Sequence, residues 1–141
     1  MVFDVYNNDN HYHLRRNMRY SRQREHILRI IKGRTDHPTA DMIYETARSE
    51  DPTISIGTVY RDLKVLEREK QVWTIETTDT RLHYDGNVEP HCHYICNSCQ
   101  TIYDIFEMPA YPEGLDQVGR VDEAKCVFYG VCNKCLNNKS E

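Results

Sequence analysis

The chain has 141 residues, six cysteines and a net charge of −4, enough for one ordinary domain or two small ones, of which a half with a thin core needs a staple. Met1 to Asn10 is polar and no stretch approaches the roughly twenty apolar residues of a membrane span, which argues against a signal peptide or an anchor; a soluble, cytoplasmic protein is expected. The charge is uneven: residues 1–70 carry 13 Lys and Arg against 11 Asp and Glu, net +2, and residues 71–141 carry 5 against 11, net −6, so a basic face for nucleic acid is available only in the first half.

Taken in order, the lead-in is polar and Asn-rich and is read as flexible, which leaves His11 and His13 without a site role. Ser21 is placed as the N-cap of a first helix whose apolar face is Ile27, Leu28, Ile30 and Ile31 and which Gly33 stops. Thr39 caps a second helix that buries Met42, Ile43, Tyr44 and Ala47 and ends at Asp51-Pro52. Ser55 caps a third, Ile56 to Lys70, with Val59, Leu63 and Leu66 spaced for packing and Thr58, Tyr60, Arg61 and Lys64 on the other face. Two short helices and a polar-faced third describe a helix-turn-helix that enters a major groove; the same three helices also suit a scaffold for protein interaction. Arg15, Arg16, Arg19, Arg22 and Arg24 are the densest basic cluster, read either as a solvated helix face or as a surface for phosphates.

Val72 to Ile75 and Arg81 to Tyr84 alternate as a strand pair, in the place of a wing, and Asp85-Gly86 reads as a turn and hinge. Beyond Pro90 a strand runs through His93 and Tyr94, Thr101 to Phe106 forms another, Glu113 to Val118 a short helical turn and Ala124 to Val131 a last strand. The expected architecture is α+β, with a winged helix-turn-helix over 1–84, a hinge over 85–90 and a small α/β unit over 91–141.

The second half holds the metal chemistry. Cys96 and Cys99 form one C-x2-C hook, and Cys132 and Cys135 form another after thirty-two intervening residues. Four thiolates so spaced close a tetrahedral structural zinc site. Flanking the first hook are His91, His93 and Asp104, nitrogen and oxygen donors that suit iron(II) or manganese(II) better than thiolate-loving ions. Cys92 lies between two of these, but strand alternation points it away from them, and Cys126 is read as a small buried hydrophobe.

In this order, His37-Pro38-Thr39-Ala40, Ser55 to Arg61, His91-Cys92-His93, Cys96 to Cys99, Asp104 and Tyr129 to Cys135 resemble the ferric uptake regulator superfamily of metal-dependent repressors, and most of all its peroxide-sensing branch. The resemblance implies a winged-helix DNA-binding domain and an α/β dimerisation domain, working as a homodimer on an inverted-repeat operator in double-stranded DNA. It implies structural zinc on the four cysteines and iron or manganese on His37, Asp85, His91, His93 and Asp104. Without the resemblance, Asp85 reads as a turn former, with His83 competing for its role, and His37 as a loop residue.

The branch implies that iron(II) and hydrogen peroxide together oxidise His37 or His91, which releases the operator. Tyr60 and Arg61 are expected to read bases, with Thr58 on the same face and Arg15, Arg16, Arg19 and Arg22 on phosphates. The leading reading is a peroxide-responsive repressor, not an enzyme. Its rivals are a metal-uptake repressor of the same superfamily, a non-haem iron enzyme and a zinc-stapled adaptor.

Overall fold

The computed structural model describes residues 7–138, apart from the side chains of residues 7–18 and of Ser21. The described residues fall into two compact units, one drawn from Met1–Ile75 with His83–Val88, the other from Glu76–Leu82 with Glu89–Glu141. Asp85 thus groups with the helices, and the wing tip groups with the second unit.

In the first unit, helix α1 (Asn7–Lys32) is longer than the sequence reading allows. Ser21 lies inside it rather than at its cap, and the lead-in from Asn7 is helical, because residues 7–20 contain no Gly or Pro and each added residue gains a hydrogen bond once the helix is nucleated. The end at Gly33 is as expected, its N–H bonding to Arg29 O at 3.0 Å. Helix α2 (Ala40–Glu50) is capped by the Thr39 hydroxyl, which accepts from Met42 N, and ends at Asp51. Helix α3 (Ile56–Arg68) is capped by Ser55 accepting from Thr58 N.

Spacing foretells the core: Ile27, Ile31, Ile43, Val59 and Leu63 are all fully buried, and Leu66 nearly so. Met42 and Tyr44, expected inside, are only half-buried at its edge. Strands β1 (Trp73–Glu76) and β2 (Leu82–Asp85) make the two-stranded wing. After β2 the chain passes close to the end of α1: a Cβ on Gly86 would lie 2.9 Å from Lys32 Cα, so a side chain there has no room.

The second unit is a three-stranded sheet in the order β4-β3-β5. Central β3 (Cys92–Cys96) pairs antiparallel with β4 (Ile102–Ile105) and parallel with β5 (Val127–Gly130). Its main buried residues are Cys92, Ile95, Cys96, Ile102 and Cys132, a thinner core than that of the first unit. The short helix α4 (Leu115–Val118) matches the expected turn, whereas α5 (Asn133–Asn138), which carries Cys135, was not anticipated from sequence. Among the described residues, no helix is long and apolar enough to cross a membrane.

Candidate metal centres and nucleic-acid interface

The turn between β3 and β4 and the turn entering α5 bring the two cysteine hooks together. The ligand atoms of Cys96, Cys99, Cys132 and Cys135 all lie within 4.8 Å of one another, with Cys96–Cys135 and Cys99–Cys132 sulfurs both 3.9 Å apart. Sulfurs held about 2.3 Å from one zinc ion in a tetrahedron stand about 3.8 Å apart, so the set fits without rearrangement.

The backbone is already arranged for thiolates. N–H groups of Cys132 and Cys99 aim at Cys96 Sγ from 3.3 and 3.5 Å and draw its thiol down to about 6. The N–H of Cys135, then the Tyr103 hydroxyl, lower Cys132, while its contact with Cys132 first of all pushes Cys135 up to about 12. Four sulfurs this close cannot all ionise without a cation among them, and a zinc ion held there would supply that charge. The helping hand of Tyr103 was not foreseen, since a tyrosine in a strand carries no spacing signal for it.

The imidazole set lies at the start of the same strand, His93 within β3 and His91 one residue before it. His91 and His93 are two residues apart and so share a face, and Asp104 pairs directly across from His93 in the antiparallel register. His91 Nε2 lies 3.0 Å from His93 Nε2, and Asp104 Oδ1 lies 3.3 and 3.2 Å from the two nitrogens. A first-row ion binding at roughly 2.1 Å places neighbouring ligands at right angles about 3.0 Å apart, close to these separations.

Both imidazoles are buried. The Nδ1–H of His91 donates to the Glu89 carbonyl at 2.6 Å, which fixes the tautomer that leaves Nε2 for a metal, as metal-binding histidines generally require. The opposite face of β3 carries Cys92, whose sulfur meets Glu107 O and Met108 Sδ at 3.5 and 3.7 Å, in keeping with the strand alternation. Contact with Cys126, and burial after it, push its thiol up to about 11.

The first unit holds a second carboxylate–imidazole pair of its own. His37 Nε2 and Asp85 Oδ2 are 3.5 Å apart and both side chains are buried. His37 has φ of 51°, a left-handed conformation costly for a residue with a Cβ, and its neighbours hold it there. His83 Nδ1 bonds to the His37 carbonyl at 2.7 Å, and Tyr84 N–H donates to the Pro38 carbonyl at 2.9 Å. His83, a rival ligand on sequence grounds, therefore positions His37. Asp85 is turn former and site residue at once, since Oδ1 accepts from Asn87 N at 2.9 Å while Oδ2 faces His37.

The surface expected to face DNA departs from the sequence reading. Tyr60 and Arg61 are exposed on α3. Thr58 is not: it is 92% buried (8% exposed), because its hydroxyl turns back to the Ser55 cap at 2.9 Å and takes a bond from Arg61 Nη2 at 3.2 Å. Thr58 thus buttresses the helix start instead of presenting itself to bases. Arg61 stacks over Tyr20, 4.8 Å from its ring centroid, and with Arg19, Gln23 and Thr53 these residues line a polar cleft at the start of α3, the end of a helix that attracts anions. Arg22 is exposed nearby, Arg24 turns instead to buried Asp62 at 3.6 Å, and the side chains of Arg15 and Arg16 lie outside the described residues.

Residues 15–112 match the model of the ferric uptake regulator family. The chain belongs to that family. Among its relatives, the peroxide-responsive repressor PerR of Staphylococcus aureus is 32% identical over 127 residues, covering 84% of this chain and 82% of that protein. The structure of the Campylobacter jejuni peroxide stress regulator is 28% identical with a TM-score of 0.76, covering 89% of this chain and 97% of that one. A zinc-bound manganese uptake regulator is 26% identical with a TM-score of 0.54, over 78% of this chain and 87% of that one. The chain is accordingly a metal-responsive regulator of the ferric uptake regulator family, most like the peroxide-responsive repressors. Among the described residues, the four cysteines Cys96, Cys99, Cys132 and Cys135 form the set that could hold a structural zinc ion.

Proposed function

We propose that the protein is a homodimeric repressor that binds an inverted-repeat operator when iron(II) or manganese(II) is bound, and that hydrogen peroxide releases it through oxidation of His37 or His91. The observation that carries this reading is the convergence of His91, His93 and Asp104 on one point, with the His37–Asp85 pair prepared in the other unit. One ion taking ligands from both sets ties the DNA-binding residues to the sheet, so metal loading biases the dimer towards its DNA-competent form.

Asp104 suits this role by its length. It sits directly opposite His93 with its oxygen already 3.2 Å from Nε2, and its short arm sets how closely the carboxylate and the imidazoles approach an ion. Iron(II) held by these residues would reduce peroxide beside the rings to the oxidant that attacks one of them. His37 or His91 is the ring that takes up oxygen: an imidazole so altered is a weaker donor, and a site missing one nitrogen holds its ion less tightly.

Iron-loaded and manganese-loaded protein, each treated with peroxide, test this. Oxygen on His37 or His91 by mass spectrometry together with loss of operator binding is expected for iron only. Intact histidines and retained binding in both would leave a metal-uptake repressor. A metal-loaded structure with His37 remote from His91, His93 and Asp104 would sink the shared site.

For DNA, Arg61 and Tyr60 read bases while Arg19 and Arg22, with Arg15 and Arg16 earlier in α1, hold phosphates. Arg61→Ala is expected to cost about 1–3 kcal/mol at one base position and relax specificity there. Equal weakening on operator and random DNA in a binding titration would count against it.

A further inference from the structure

The face of the sheet opposite the imidazoles carries a second pair of reactive groups. Cys92 and Cys126 are neighbours across the parallel β3–β5 pairing, one step before His93 and Val127, and the ladder continues to them through the His93 N–H bond to Cys126 O at 3.0 Å. Residues level with one another on adjacent strands point to the same side, about 4.8 Å apart along the hydrogen-bonding direction. That falls within the 4.4–6.8 Å span of Cα positions that a disulfide bridges. Their thiols contact one another, and neither belongs to the four-sulfur cluster. Cys92 is buried, with Met108 sulfur beside it, whereas Cys126 is half-buried and so within reach of a small oxidant.

We propose that Cys92 and Cys126 form a reversible disulfide under hydrogen peroxide, a modification site that acts on the imidazole set from behind and does not depend on iron. The Cys126 sulfur attacks peroxide, the O–O bond breaks, and the departing hydroxide takes the thiol proton and leaves as water, giving a sulfenic acid. The Cys92 sulfur then attacks that sulfur; the S–O bond breaks, the hydroxyl leaves as a second water with the Cys92 proton, and the S–S bond forms. Two thiols lose two electrons and one peroxide is reduced to two waters. The bond requires Cβ atoms about 3.8 Å apart, closer than strand spacing leaves them, so β3 is drawn towards β5 at Cys92. His91 and His93 flank that residue on either side, and their convergence with Asp104 is what the shift disturbs.

The test uses zinc-loaded protein with manganese(II) at the regulatory site, so that oxidation of histidine by iron plays no part and the two readings fail separately. After peroxide, digestion with trypsin and chymotrypsin cuts after Tyr94 and Tyr129, which separates Cys92 from Cys96 and Cys126 from Cys132. A linked Cys92–Cys126 peptide is expected, with zinc retained and manganese affinity by electron paramagnetic resonance lowered about tenfold, the scale of a disturbed ligand-supporting contact. Dithiothreitol should restore the affinity, and Cys126→Ser and Cys126→Ala should abolish the response. No such peptide, linkage confined to the zinc cysteines, or linkage with unchanged manganese affinity would each overturn the proposal; the first measurement is on the unaltered chain and needs no variant to fold.

Discussion

The two units reach stability by different means. The helical unit buries a contiguous aliphatic cluster built from Ile27, Ile31, Ile43, Val59, Leu63 and Leu66, while the sheet unit buries few side chains, two of its main ones being sulfur ligands. A core supplies many small contributions spread over many residues; a metal staple concentrates them in one bond set. The first kind degrades gradually under substitution, the second in one step.

Removal of zinc should therefore separate the units most sharply. Zinc binding to a small four-ligand site is worth on the order of 10 kcal/mol, so a chelator or Cys96→Ser is expected to abolish amide-exchange protection over β3 to β5 while α1 to α3 keep theirs. Equal loss in both units would refute the division. Leu63→Ala should do the converse on a smaller scale, costing about 2–5 kcal/mol in the urea transition followed by Trp73, the single tryptophan and a residue of the helical unit, with zinc content unchanged.

The mildest lever is pH. Burial, more than Arg24 can offset, raises the carboxyl of Asp62 on α3, so the folded unit binds that proton more readily than the unfolded chain does. Its contribution is present below the ordinary carboxylate range and lost as pH rises through the raised value. Acidification across that window should favour the helical unit through Asp62, while protonation of thiols works against zinc in the sheet unit. Asp62→Asn should flatten the pH dependence of the Trp73 urea midpoint relative to the unaltered chain; superimposable profiles would exclude this role.

How much the sequence disclosed follows the same division of physics. Caps at Thr39 and Ser55 and the packing spacing of α3 are local signals, and both hooks announce their metal by spacing alone. The true start of α1 was hidden because Asn-rich sequence weakens propensity without breaking a helix, and α5 because it is short, begins within the second hook and has no apolar period. Thr58 was misplaced on an exposed face since helical spacing cannot tell that a hydroxyl will turn back to its own cap. His83 acts through a contact with His37, a relation between distant chain segments that no single stretch encodes, and the Glu89 carbonyl that orients His91 is a backbone group that side-chain spacing does not reveal. His37 and Asp85 stood out only through family resemblance, being ordinary loop and turn residues by type.

The two oxygens of Asp85 are spoken for separately, one by the Asn87 amide and the other by His37. A side chain pinned by its own turn has no rotameric search to make before it can serve as a donor, so folding the loop also aims the carboxylate. The converse is a constraint on drift: an asparagine could preserve the bend yet delete the negative charge, and an alanine would forfeit both, leaving this position little freedom to vary one duty without the other.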